Sequence, residues 1–335
     1  MNVAILGCGL IASRWVRTLA RDSRITIAAL ADPDAEAAAR LAHRYQLTVP
    51  RLPGWRPALE IADLDAVVNL TPPARHAVVS AAALDAGLHV LTEKPLALSL
   101  REATDLVHRA QTADRHLLVM QNQAMDPRFL AFRDLVRSGS GPWTITASTL
   151  VALHRPGFRA RSRRPVLTDL AVHAFDQVRQ LVTTAPLDIH ATEVPLPHQG
   201  AHCGLATVLI RFADGSLFSY LGGYTSGGMR TPAGGRWSAD GMALASTWDG
   251  EDHLTHSTVG EPTVDPQPIP VTAAPGYQLV IQSMVDMLHG EPYPELTAEQ
   301  NLGSIALLDA ALASAAKSRP RPVPCMLQEA SNAPR

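Results

Sequence analysis

Apolar residues along this chain change their rhythm near residue 122. Before it, short continuous apolar runs alternate with longer stretches in which apolar positions return every three or four residues. NVAILG (2–7), ITIAALAD (25–32), DAVVNLT (65–71), LHVLTE (88–93) and HLLVMQN (116–122) are runs of strand length, rich in β-branched and aliphatic residues. Between them, LIASRWVRTLARD (10–22), DAEAAARLAHRY (34–45), ARHAVVSAAALDAG (74–87) and SLREATDLVHRAQTA (99–113) carry helical spacing and helix-forming composition. Strands that are apolar on both faces and separated by helices belong in a parallel sheet covered on both sides. Residues 1–122 are therefore expected to form a doubly wound α/β domain.

After residue 122 strands follow one another without intervening helices. WTITASTLVAL (143–153), GLATVLIRF (204–212), GSLFSYLGGY (215–224) and MALASTWDG (242–250) read as strands, several joined by short Asp-Gly or Gly-rich turns. One helix, TDLAVHAFDQVRQLV (168–182), interrupts them. Two more helical patterns, YQLVIQSMVDMLHG (277–290) and AEQNLGSIALLDAALASAAKS (298–318), close the chain before a proline-rich tail. The expectation for 123–335 is an α+β domain with a large open, mainly antiparallel sheet, serving substrate binding and self-association. An open sheet leaves a face or edge to be covered, so a homodimer or homotetramer through that sheet is expected.

Composition narrows the partners more than the fold. The chain has 335 residues, 46% hydrophobic and 18% charged, with a formal net charge of -2. That balance gives no reason to expect nucleic acid or an anionic membrane as partner. No apolar run is long enough to span a bilayer, and the first residues pass directly into a strand, so a cytoplasmic protein is expected. The three cysteines, Cys8, Cys203 and Cys325, are far apart, with no metal-type spacing, and no metal is expected. Of the 29 lysine and arginine residues only Lys94 and Lys317 are lysines. A chain that writes arginine almost everywhere keeps a lysine in LTEKPL (91–96), where a compact ammonium can direct one hydrogen bond at a single oxygen.

Gly7-Cys8-Gly9-Leu10-Ile11-Ala12 closes the first strand and opens the first helix, as G-x-G-x-x-G/A does at a dinucleotide site. Gly7 permits the tight turn and Gly9 lets a pyrophosphate approach the backbone. Leu10 and Ile11 belong to the loop whose N–H groups face that anion, and Ala12 keeps the helix close to the sheet. Asp32 ends the second strand, where a carboxylate hydrogen-bonds the adenosine ribose and repels a 2′-phosphate, so NAD is favoured over NADP.

With this fingerprint, Asp32, TPPARH (71–76), EKP (93–95) and DLAVH (169–173), the sequence resembles the Gfo/Idh/MocA family of NAD(P)-dependent oxidoreductases over nearly its whole length. The resemblance implies an enzyme acting on the hydroxyl of a sugar or cyclitol. It places Thr71, Pro72, His76, Glu93 and Lys94 with the cofactor, and Lys94, Asp169 and His173 at the nicotinamide; Pro95 in such proteins is cis. The residues agree. Lys94 lies past the C-terminal end of a parallel strand, the ligand edge of such sheets. Asp169, His173, Asp176 and Gln180 fall on one polar face of a helix, so Asp169 and His173 can meet on adjacent turns. An imidazole titrating near neutrality suits acceptance of the hydroxyl proton, and the Lys94 ammonium suits the developing alkoxide.

Departures from the family pattern concern the substrate. RARSRRPVLTD (159–169) replaces the glycines that usually precede the D-x-x-x-H helix, and Arg163 and Arg164 are candidates for an anionic substrate group, against a solvated loop. Gln121-Asn122-Gln123 stands where many relatives have an arginine, and Gln123, His154 and Trp237 are further candidate substrate contacts. Two alternatives keep the cofactor: transient oxidation that permits elimination or glycoside cleavage, and a non-catalytic NAD-dependent sensor.

Overall fold

A computed structural model describes residues 1–152, 157, 159, 162–196, 204–225, 230–258, 260, 266–269, 276–291 and 296–324. The elements run β1 (Asn2–Leu6), α1 (Ala12–Leu19), β2 (Thr26–Ala31), α2 (Ala35–Tyr45), β3 (Arg51–Leu52), α3 (Trp55–Ala58), β4 (Ala66–Asn69), α4 (Pro73–Asp85), β5 (His89–Thr92), α5 (Leu100–Ala113) and β6 (Leu117–Val119). There follow α6 (Pro127–Ser138), β7 (Thr144–Ala152), a π-helical segment (Leu167–Ala171) continuous with α7 (Val172–Leu181), β8 (Pro186–Pro195), β9 (Gly204–Phe212) and β10 (Leu217–Thr225). The remainder is β11 (Arg236–Asp240), β12 (Leu244–Trp248), β13 (His253–Thr258), β14 (Gln267–Pro268), α8 (Gly276–Leu288), α9 (Ala298–Lys317) and β15 (Arg321–Pro322).

The chain forms two compact units, Met1–Met125 with Ala273–Leu302, and Asp126–Thr272 with Gly303–Arg335. In the first, six parallel strands take the order β3-β2-β1-β4-β5-β6. This is the doubly wound dinucleotide-binding arrangement, with its switch point between β1 and β4. Local signals set its helices. Asp34 caps α2 by accepting from the N–H groups of Glu36 and Ala37, and Ser99 caps α5 by accepting from the N–H of Glu102, to whose carboxylate it donates its hydroxyl.

The sequence places all of 123–335 in the second domain; the structure groups Ala273–Leu302 with the first unit. Val280, Ile281, Met284 and Val285 of α8 join one buried cluster with Trp15, Val16 and Leu19 of α1. Helical periodicity marks such a segment as amphipathic but does not say which core its apolar face will cover.

The second unit is built on a nine-stranded sheet, ordered β14-β13-β12-β11-β7-β10-β9-β8-β15. β7 and β10 pair in parallel over nine residues, and the other neighbours are antiparallel. The sheet is therefore mixed and mostly antiparallel. Phe129 and Phe132 of α6 pack on Trp237 and Trp248, and Phe218 stacks on Trp237 with centroids 5.8 Å apart. α6 is absent from the sequence reading, although Asp126-Pro127 offers an N-cap and a proline at the first helical position, and Asp126 does accept from the N–H of Arg128.

Candidate active site

The glycine loop has the geometry its sequence implies. Gly7 has φ +104°, and a Cβ there would lie 2.6 Å from the carbonyl oxygen of Leu70. A Cβ on Gly9 would meet nothing within 4 Å, leaving open space at the turn. Ala12 is fully buried. No side chain caps the start of α1 and no acidic residue occupies its first turn, so the loop amides keep a positive end for an anion. Leu10 is 88% exposed. At the end of β2, the Asp32 carboxylate accepts from the N–H of Cys8 at 2.7 Å and of Asp34 at 2.8 Å. These bonds fix the carboxylate beside the glycine turn, where it fits a ribose. Cys8 is a free, buried cysteine whose thiol is pushed up to about 12, mainly by burial and then by Asp32, so it is inert.

The loops after β4 and β5 are tied together by His76. Its ring is buried, with Nδ1 2.7 Å from the Pro95 carbonyl and Nε2 2.7 Å from the Thr71 carbonyl. Burial pushes its pKa down against the pull of the two carbonyls. Thr71 in turn donates its hydroxyl to Asn69 at 2.6 Å, and Pro72 stands at the N-cap of α4. The ring of His76 is thus engaged in bracing the loop. The Lys94–Pro95 peptide is cis. Glu93 is buried, and its Oε1 accepts from the indole of Trp15 at 3.0 Å and from the hydroxyl of Tyr277. Lys94, next to it, is half-buried.

In the second unit the D-x-x-x-H segment begins with the π-helical turn, so the regular helix expected over 168–182 starts only at Val172. Such turns recur at functional sites. Asp169 is buried and accepts from the Arg159 guanidinium at 2.6 Å and from the hydroxyl of Tyr224. Arg159 also donates to the Tyr224 oxygen at 3.0 Å and lies over its ring. Burial of Tyr224 and the neighbouring Asp169 push the phenol pKa up, which keeps it a donor. His173 is half-buried on α7.

Asp176, expected on a solvated face, is buried. It accepts from Ser304 at 2.7 Å and lies 3.9 Å from Arg179. Burial pushes its pKa from 3.8 up to about 6 against the downward pull of Arg179. A folded-state pKa above the unfolded one means that the native chain binds the extra proton between those values. The Asp176 contribution to stability is thus complete below about pH 4 and lost as pH rises through about 6, a change of about 3 kcal/mol at most. The stability advantage of the parent over Asp176→Asn, followed by denaturant titration from pH 4 to 7.5, is expected to shrink with rising pH. A difference that stays flat across that range would contradict it.

The remaining candidates are scattered. Arg164 donates to the Ala315 carbonyl at 2.7 Å, holding the end of α9, and Arg163 is exposed in a bend. Trp237 is a core residue whose indole donates to the Gly234 carbonyl at 2.9 Å. Gln123 sits half-buried in the turn after β6, and His154 lies outside the described residues. Among the described residues there is no group of three or more His, Cys, Asp or Glu able to hold a metal ion, and no helix long and apolar enough to cross a membrane. Tyr224, Tyr277 and Trp15 do not stand out in the sequence, where each is an ordinary strand or helix position.

This architecture joins a doubly wound dinucleotide-binding unit to a unit built on a mixed, mostly antiparallel sheet. Residues 1–121 match the Gfo/Idh/MocA model, described as an oxidoreductase family with an NAD-binding Rossmann fold. Inositol 2-dehydrogenase of Leifsonia xyli subsp. xyli is 32% identical over 209 residues, 59% of this chain and 58% of that protein. UDP-N-acetylglucosamine 3-dehydrogenase of Acidithiobacillus ferrooxidans is 30% identical over 196 residues, 58% of each chain. Both matches span less than two thirds of the relative's length. An oxidoreductase from Agrobacterium radiobacter, solved with NAD+, L-tartaric acid and magnesium, superimposes with a TM-score of 0.81 at 19% identity, covering 96% of this chain and 98% of that one. That likeness is one of fold.

Proposed function

We propose that the protein is an NAD-dependent oxidoreductase acting on a secondary hydroxyl, or the corresponding ketone, of a sugar, aminosugar or cyclitol. The observation that carries this reading is the C-terminal edge of the parallel sheet, which gathers the open glycine turn, the fixed Asp32 carboxylate and Lys94. The loop amides of Gly9, Leu10 and Ile11 would hold the pyrophosphate, and Asp32 the adenosine ribose. NAD, when bound, supplies a hydride acceptor. Lys94 donates to the reacting oxygen, His173 takes or returns the hydroxyl proton, and Asp169 is held in place by its two donors. Because Arg159 is already matched by Asp169 and Arg164 by a helix end, an uncharged hydroxylated substrate is favoured over a phosphorylated one.

A panel of polyols, sugars, aminosugars and sugar phosphates, assayed for NAD reduction, tests the reading. Reduction with uncharged members is expected; no turnover of any member, in either direction, would count against it. The reading also includes a cytoplasmic location and self-association through the sheet. Val194, Leu209, Leu217 and Leu221 are 40–51% exposed on neighbouring strands, an apolar patch that a second copy would cover. Light scattering is expected to return a multiple of 35.9 kDa; a monomer at micromolar concentration would exclude it.

A further inference from the structure

We propose that Tyr277 and Trp15 are positioning residues for Lys94, acting through Glu93. The inference rests on the role given to Lys94 above.

Glu93 is 8% exposed. A carboxylate so placed must be met by donors, or its desolvation weighs against the fold. Two side chains from different helices converge on its Oε1. Trp15 lies on α1, one turn beyond the glycine loop, and is fully buried. Tyr277 opens α8, and its ring meets Trp15 edge to face at 6.4 Å. The Arg14 guanidinium covers the same tyrosine at 5.3 Å from its centroid. The other oxygen, Oε2, accepts from the N–H of Lys94 itself at 3.3 Å. One residue further on, the Pro95 carbonyl is held by His76.

The backbone of Lys94 is therefore gripped on both sides. On one side is a carboxylate fixed by α1 and α8, and on the other a carbonyl fixed by the loop after β4. This assigns to Glu93 a different duty from cofactor contact. It links the helix that carries the glycine loop to the loop that carries the lysine, and Tyr277 completes the link from a segment about 180 residues away in sequence. Small displacements of a group that must meet a reacting oxygen are costly in rate, on the order of 100-fold for about 1 Å.

The two-lysine composition gives a direct readout. Protein grown on side-chain-labelled lysine shows two side-chain NMR signals, from Lys94 and from Lys317 on the exposed end of α9. In Tyr277→Phe and in Trp15→Phe the Lys94 signal is expected to move or broaden, with the Lys317 signal unchanged as an internal control of folding. With the substrate identified by the panel, Tyr277→Phe is expected to lower kcat by about 10-fold or more while the NAD dissociation constant stays within about twofold. Tyr277→Phe placed on Lys94→Ala should add no further loss, because the tyrosine acts only through the lysine. An unmoved Lys94 signal in both variants overturns the proposal, as does a rise in the NAD dissociation constant with kcat unaltered. If Lys94→Ala alone leaves kcat intact while the NMR response is present, the role of Lys94 fails and the positioning of its side chain stands.

Discussion

Alanine at position 173 is expected to lower kcat by about 10²–10⁴-fold with the NAD dissociation constant essentially unchanged. Oxidation of a secondary alcohol requires its hydroxyl proton to leave as the hydride departs, and at neutral pH water is a poor base for that proton. His173 sits half-buried near the start of α7, on a helix whose neighbouring carboxylate, Asp169, is held by Arg159 and Tyr224. Under the proposed mechanism, loss of the imidazole removes the proton acceptor and leaves the cofactor loop untouched. Lys94→Ala is expected to cost a comparable factor by a different route, loss of charge opposite the developing alkoxide. The two variants differ in their pH profiles. His173→Ala should flatten the pH dependence that a general base gives to kcat for alcohol oxidation, while Lys94→Ala keeps it. Activity surviving both substitutions would overturn the mechanism.

The second large effect separates two glycines that look alike in the sequence. Gly7→Ala is expected to destabilise the first unit by roughly 3 kcal/mol or more, because a Cβ at φ +104° would also press against the Leu70 carbonyl at 2.6 Å. Gly9→Ala meets no neighbouring atom within 4 Å and should leave stability within about 0.5 kcal/mol. Its methyl group enters the space a pyrophosphate would approach, so NAD affinity should fall by about 10-fold or more. Thermal denaturation and titration with NADH distinguish the two. Equal stability losses would show that Gly9 is a structural glycine and would remove the open turn from the cofactor argument.

The parallel sheet was legible because β1, β2, β4, β5 and β6 are apolar on both faces and punctuated by stretches of helical spacing, two of them with capping residues. Only the two-residue β3 and the four-residue α3 escape that reading, since neither is long enough to show a period. The second unit was less legible. β8, bounded by Pro186 and Pro195, and the five-residue β11 carry only a brief alternation, and the two-residue β14 and β15 are too short to carry any. At the site, the motifs named Lys94, Asp169 and His173, but not what holds them. Tyr224 reaches Asp169 from β10 and Tyr277 reaches Glu93 from α8, contacts across 55 and 184 positions that no local pattern encodes. Trp237 shows the opposite failure. An aromatic in a glycine-rich segment resembles a ligand contact, yet its indole fills a core made by Phe129, Phe132 and Phe218.

The return of α8 to the first unit also sets an order of events during synthesis. The parallel sheet and its helices are complete when residue 125 leaves the ribosome, but the patch formed by Trp15, Val16 and Leu19 still lacks Val280, Ile281 and Met284. At 5–20 residues per second, roughly ten to thirty seconds pass before those residues arrive. During that interval the nascent dinucleotide unit carries an uncovered apolar face, and the intervening chain must fold beside it. The stretch 1–125 is accordingly a poor candidate for excision as an independent module, because the face that α8 covers would then stay open to other chains.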